Sequence, residues 1–134
     1  MKILFVCKYN RFRSQIAESY FKKINKNKKI FASSAGMIKG DYPLDKLQVS
    51  IARRLGVKIG KKPKAISLDL LKEQDMIFIV ADNVSKSIFK YKGKYIKEIV
   101  EWKIHDEENG IIKNIEMIIN MIKKNIEDLV EKLK

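Results

Sequence analysis

The apolar positions of this chain follow two rhythms, one continuous or alternating and one helical, and the chain switches between them repeatedly. Ile3 to Val6 is a short unbroken apolar run of the kind carried by a strand covered on both faces, and it stops at Cys7. Beyond Cys7 to Arg13, the residues Ile16, Ala17, Tyr20, Phe21 and Ile24 recur at helical spacing, which predicts a helix from Ser14 onward. Lys26 to Lys29 is a polar connection, Ile30 to Ala35 reads as a second strand, and Gly36 to Pro43 carries loop signals. Pro43 is placed to open a helix in which Leu44, Leu47, Ile51 and Leu55 follow one another until Gly56 stops it.

The second half repeats the scheme. Ser67 to Gln74 reads as a short helix feeding Met76 to Val80, the clearest buried strand, after which Asp82 and Asn83 mark a turn. Val84 to Phe89 fits one or two helical turns, and Tyr95 to Val100 alternates as a fourth strand should. Past Asn109-Gly110, Ile111, Ile115, Ile118, Ile122, Leu129 and Leu133 form a stripe that Ile112, Ile119, Ile126 and Val130 widen. A stripe so wide suits a long helix packed on a sheet better than a coiled-coil seam.

Strands alternating with helices imply parallel units with right-handed crossovers. The expected fold is α/β: one three-layer domain spanning residues 1–134, with a four-stranded parallel sheet and helices on both faces. In such sheets ligands bind beyond the carboxyl ends of the strands, where the first strand hands over to its helix. Cys7 stands at that point.

Composition narrows the class. With 46% apolar and 34% charged residues in 134, the chain has the make-up of a globular protein able to bury one core. The N-terminal apolar run is too short for a signal peptide, and no window approaches a membrane span, so a cytoplasmic protein without membrane contact is expected. The net charge of +13 favours anionic partners without naming one. Only Arg11, Arg13, Arg53 and Arg54 among the 29 basic residues are arginines, and the lysines are dispersed, which argues against a nucleic-acid surface. The densest basic stretches, Lys22 to Lys29 and Lys58 to Lys64, read as solvated loops. The single cysteine makes no internal disulfide and no structural zinc site, and no metal or organic cofactor is implied.

The informative segment is Cys7-Lys8-Tyr9-Asn10-Arg11-Phe12-Arg13-Ser14. A cysteine and an arginine with five residues between them let the backbone curl into a ring of N–H groups around a tetrahedral oxyanion, with the positive end of the next helix behind it. The same field favours the thiolate, the nucleophilic form of cysteine. Without those neighbours Cys7 would read as one more buried residue at a strand end.

The stretch Ile3 to Glu18, Ile-Leu-Phe-Val-Cys-Lys-Tyr-Asn-Arg-Phe-Arg-Ser-Gln-Ile-Ala-Glu, resembles the opening of the low-molecular-weight protein tyrosine phosphatases and their arsenate-reductase relatives. The resemblance continues in Ser34-Ala35-Gly36, Asp75 to Val80 and Trp102-Lys103-Ile104-His105-Asp106, and so runs over nearly the whole chain. It implies a phosphomonoester hydrolase in which Cys7 forms a phosphocysteine, Arg13 binds the phosphoryl group and Asp106 serves as general acid and then base. Residues Lys8 to Ser14 would form the phosphate-binding loop, with Asn10, Ser14 and Ser34 supporting it. The implied partner is a phosphorylated protein or small phosphoester, handled by a monomer that also binds phosphate-like or sulfate-like oxyanions.

Several residues depart from that pattern. Glu107-Glu108-Asn109 follows Asp106 where the family usually has proline and then aromatics, Phe12 replaces a second cysteine common in the loop, and Lys61 lies near the place of a supporting histidine. Tyr9, Met37, Ile38 and Tyr42 are candidates to line the opening instead, and Lys8 and Arg11 are candidates to steer anions. Asp106 also fits a helix N-cap, with Glu107, Glu108 and Asp82 next in line as acids, and His105 fits an exposed residue. Two other functions remain open: arsenate reduction completed by an external small thiol, and a non-catalytic module binding phosphate or nucleic acid.

Overall fold

A computed structural model describes residues 1–39, 43–89 and 98–134. Strands β1 (Lys2–Cys7), β2 (Phe31–Gly36), β3 (Met76–Val80) and β4 (Glu98–Trp102) form one parallel sheet in the order β2-β1-β3-β4. Helices α1 (Arg13–Ile24), α2 (Lys46–Arg54), α3 (Leu68–Lys72) and α4 (Ile112–Lys132), with a 3₁₀ turn at Lys86–Phe89, complete the α/β architecture expected from the sequence.

The two-residue period of the strands sorts the core into two layers. Ile3, Phe5, Phe78 and Val80 face Ile16 and Phe21 of α1, Ile51 of α2 and Ile115, Ile119 and Ile122 of α4. Leu4, Val6, Ile77 and Ile79 face the other way, onto Leu71 of α3, Val84 and Phe89. Both faces of β1 and β3 are therefore dry, which is why their sequences are unbroken apolar runs. Burying such side chains contributes roughly 1.5–3 kcal/mol each. Tyr20 fastens α1 to α4 by donating to Glu127 at 2.6 Å, and that carboxylate pushes its phenol up to about 12.

Boundaries moved where capping decided them. Pro43 does not open α2; Asp45 does, its carboxylate accepting from the N–H groups of Leu47 and Gln48. Ser67 caps α3 instead of belonging to it. Residues 84–89 hold one short 3₁₀ turn, and β4 runs two residues past Val100 because Trp102 still pairs with Val80. Positions 95–97 of the expected fourth strand, and Tyr42, lie outside the described residues. No described helix is long and apolar enough to cross a membrane.

The sheet ends at a crowded corner. Cys7 pairs with Gly36 in the register of β1 and β2, and beyond them Met37 N–H donates to the Cys7 carbonyl and Ile38 N–H to the Lys8 carbonyl. On its other side Gly36 pairs with residues 64–66 through Gly36 N–H to Lys64 O at 2.7 Å and Ile66 N–H to Gly36 O at 2.8 Å. A Cβ on Gly36 would lie 2.6 Å from the Tyr9 carbonyl carbon and 2.8 Å from the Asn10 nitrogen, both backbone atoms with little freedom to retreat. Gly36→Ala is therefore expected to destabilise the protein by about 1–3 kcal/mol in denaturant unfolding. An alanine variant as stable as the parent would show that the loop does not need this approach.

Candidate active site

The residues singled out in the sequence converge where β1 passes into α1. Cys7, 3% exposed, ends β1, and Arg13 begins α1 with its guanidinium 2% exposed. The turn between them depends on Asn10, the one described non-glycine residue in the left-handed region, at φ 59°. Asparagine visits that region more readily than most residues. The first turn of α1 has no side-chain cap and no acidic residue of its own, so the helix supplies no carboxylate to its own N–H groups.

A directed set of hydrogen bonds supports the sulfur. Asn10 Oδ1 accepts from the N–H of Lys64 at 3.1 Å, which fixes the orientation of its amide. Both Nδ2 hydrogens then go outward, to Ser14 Oγ at 2.7 Å and Ser34 Oγ at 2.9 Å. Ser34 donates its own hydroxyl hydrogen to Glu18 Oε1 at 2.6 Å. Ser14, already accepting from Asn10, has its hydroxyl proton available for Cys7 Sγ 3.0 Å away. A donor aimed at sulfur stabilises thiolate over thiol.

Arg13 is held from outside. Its Nη1 donates to Ile104 O at 2.8 Å and its Nη2 to Asn83 Oδ1 at 3.2 Å, while Asp82 and Asp106 lie 3.7 and 3.5 Å away. Asp82 follows β3 and Asp106 follows β4, and the Asp82 N–H bonds Ile104 O at 3.0 Å, so the two strand ends are locked together behind the guanidinium. Cys7, Tyr9, Arg11, Phe12, Arg13 and Asp106 line one cavity of about 310 Å³.

Other expected residues behave differently. Arg11 is not an unattached steering group, because Nε and Nη2 both donate to the Pro43 carbonyl at 3.2 and 2.9 Å. Lys8 lies with its ammonium 5.1 Å from the centre of the Tyr9 ring, a cation–π contact. Met37 packs into the core layer below and Ile38 is exposed, so of the described candidates for the lining, Tyr9, Met37 and Ile38, Tyr9 is the one on the cavity. Phe12 lines the cavity and also packs into the α1 core. His105 is 85% exposed, as expected, yet its Nδ1 contacts the Asp82 carboxylate.

Three buried residues escaped sequence reasoning. Gln15 ties the Asn10 carbonyl to Lys61 O, both at 2.8 Å, and accepts from the N–H groups of Gly60 and Lys61. Gln48 donates to Glu107 O at 3.2 Å. Glu18, 4% exposed, receives Ser34, Lys22 and Lys61, so the stretch read as a solvated basic loop is the back wall of the site. Its signal was available: Ser14, Glu18 and Phe21 share one helix face, and a carboxylate on an inward face needs partners.

The profile of the family described as low molecular weight phosphotyrosine protein phosphatase matches residues 2–134, and the chain belongs to that family. It is a cysteine-dependent phosphatase, of a family that acts on phosphorylated substrates. Similar folds include a protein tyrosine phosphatase from Entamoeba histolytica with Hepes in its active site, at 23% identity, 99% of this chain, 96% of that one and a TM-score of 0.87. A low-molecular-weight protein tyrosine phosphatase from T. tengcongensis gives 24% identity, 98% and 99% coverage and a TM-score of 0.85. An arsenate reductase from Archaeoglobus fulgidus gives 22%, 96% and 98%, and 0.73. A comparison with curated protein sequences finds no match.

Glu18 yields a test of the support. Burial pushes its carboxyl up, but hydrogen bonds from Lys22, Lys61 and Ser34 together outweigh burial and hold it below the ordinary value of 4.5. A carboxyl depressed by folding stabilises above its unfolded pKa, and the contribution is lost as pH falls through the folded value. Glu18→Gln should therefore cost about 1–3 kcal/mol at neutral pH. The gap between parent and variant should close once the solution is well below pH 4.5, as followed by thermal unfolding against pH. A gap that persists unchanged into acid would rule out the charge as its source.

Proposed function

We propose that the protein hydrolyses phosphomonoesters, in the manner of a protein tyrosine phosphatase, through a phosphocysteine on Cys7. The observation that carries this reading is the alignment of donors from Asn10 through Ser14 onto Cys7 Sγ, in a cavity that also holds Arg13 and Asp106.

The phosphoryl group enters the loop with its oxygens toward the N–H groups at the start of α1 and toward the N–H groups of Arg13 not given to Ile104 and Asn83. Cys7 Sγ attacks phosphorus in line with the bond to the leaving oxygen. The S–P bond forms as the P–O bond breaks, and Asp106 gives its proton to the departing oxygen. Water then attacks the phosphocysteine and passes a proton to Asp106, the S–P bond breaks, and thiolate and phosphate are released. Asp106 Oδ1 accepts from the Glu107 N–H at 2.9 Å, which leaves Oδ2, the oxygen nearer Arg13, for this exchange.

The test is turnover of p-nitrophenyl phosphate with acid quench and mass spectrometry. The parent should turn over and show a phosphorylated Cys7, Cys7→Ser should fall to background, and Asp106→Asn should lose about 10²–10⁴-fold on an ester with a poor leaving group. A parent inert on phosphoesters at acid and neutral pH that reduces arsenate with a small thiol would replace this reading with the reductase one.

A further inference from the structure

The cavity above the loop carries a charge opposite to that of the protein around it. Among the described residues, Asp45, at the start of α2, and Asp106, Glu107 and Glu108, after β4, line it together with two cationic side chains, Arg11 and Arg13. Arg13 lies at the buried base, where the reading above commits it to the phosphoryl group, and Arg11 is turned onto the Pro43 carbonyl. What a substrate meets beside its phosphorylated residue is a wall of carboxylates, on a chain whose net charge is +13.

Three of these carboxylates are held in place by the backbone. Asp45 Oδ1 accepts from Leu47 N–H at 2.8 Å and Gln48 N–H at 3.1 Å. Glu107 Oε1 accepts from Asn109 N–H at 2.6 Å and Ile111 N–H at 3.4 Å, and Asp106 Oδ1 accepts from Glu107 N–H. Gln48 joins the two walls by donating to the Glu107 carbonyl. Although desolvation opposes it, hydrogen bonding to Asn109 and Ile111 holds the Glu107 carboxyl below its ordinary range, so it is an anion at neutral pH. Carboxylates already ordered lose little side-chain freedom when a cation arrives, which removes part of the usual cost of a surface ion pair.

We propose that Asp45, Glu107 and Glu108 are specificity-determining residues that select phosphorylated peptides with lysine or arginine beside the phosphorylated residue. The inference rests on the phosphatase reading of the same cavity. Two fields compete over such a substrate: the distant lysines favour an acidic segment, and the rim favours a basic one. At physiological salt the screening length is about 8 Å, so charges touching the peptide outweigh charges across the molecule. The preference should appear chiefly in KM, since these contacts are made alike in ground and transition states.

The experiment uses the full chain, p-nitrophenyl phosphate and two phosphotyrosine peptides differing only in flanking residues, lysine and arginine in one, aspartate and glutamate in the other. The expected ratio of kcat/KM is about tenfold in favour of the basic peptide at low ionic strength, falling toward unity in about 1 M salt. Combining Asp45→Asn and Glu107→Gln, each of which keeps its hydrogen-bonding oxygen, with Glu108→Gln should bring the ratio near one, and Glu108→Lys should lower it. A parent that prefers the acidic peptide or treats both alike overturns the proposal, as does a ratio the triple variant leaves unchanged. Turnover of p-nitrophenyl phosphate separates the failures: if it persists while neither peptide is accepted, the peptide class is wrong and the phosphatase reading stands; if it is absent as well, the phosphatase reading falls and this inference with it.

Discussion

The site depends on the direction in which one amide spends its two hydrogens. Because Lys64 N–H fixes Asn10 Oδ1, the Nδ2 group must donate to both Ser14 and Ser34, and neither hydroxyl can return a proton to Asn10. The Ser34 hydroxyl then points its hydrogen at Glu18, and the Ser14 hydroxyl, 3.0 Å from Cys7 Sγ, has its hydrogen free for the sulfur. If Asn10 left the left-handed region, the amide would lose this position and the turn between Cys7 and Arg13 would change its course. The close packing of Gly36 beneath Tyr9 and Asn10, and the grip of Gln15 on the Asn10 carbonyl, both oppose that movement.

Buried charge is managed differently on the two sides of the loop. Behind it, Glu18 is paired with lysines whose side chains reach water, so one ion of each pair keeps its solvation and the desolvation cost is shared unevenly. In front, Arg13 donates hydrogen bonds to neutral acceptors, Ile104 O and Asn83 Oδ1. The carboxylates of Asp82 and Asp106 stand at 3.7 and 3.5 Å, beyond ordinary N–H···O bonding distance. They supply field without occupying all of the donors, so an incoming oxyanion need not break a complete ion pair before it binds.

The fold was legible wherever local periodicity and burial coincide. Met76 to Val80 and Ile3 to Cys7 are dry on both faces, and the stripe of α4 repeats long enough to outvote any single residue. The convergence of Cys7, Arg13 and the loop between them was legible because all three lie in one local segment. Contacts made by chain folding were not. Nothing local joins Arg11 to Pro43, Gln48 to Glu107 or Lys61 to Glu18, since each pair is distant in sequence and meets only when the sheet closes. Asp45 lost its place to Pro43 for a different reason: proline and aspartate are both good helix openers, and only the hydrogen bonds to Leu47 and Gln48 choose between them.

The segment after Asp106 shows how one constraint can be met by different chemistry. Where the family pattern expects a proline to stiffen the acid loop, this chain has Glu107, which has an ordinary N–H and no ring. That N–H binds Asp106 Oδ1, and the Glu107 side chain reaches forward to the N–H groups of Asn109 and Ile111 at the approach to α4. Proline restricts such a loop by fixing one dihedral; here a side chain closes a small hydrogen-bonded turn and Gln48 holds its carbonyl from the opposite wall. The substitution also changes the surface, because the stiffening group is now an anion at the mouth of the cavity above Cys7 and Arg13. Rigidity and charge have become properties of the same residue, so whatever orders this loop also sets the electrostatic character of the cavity it borders.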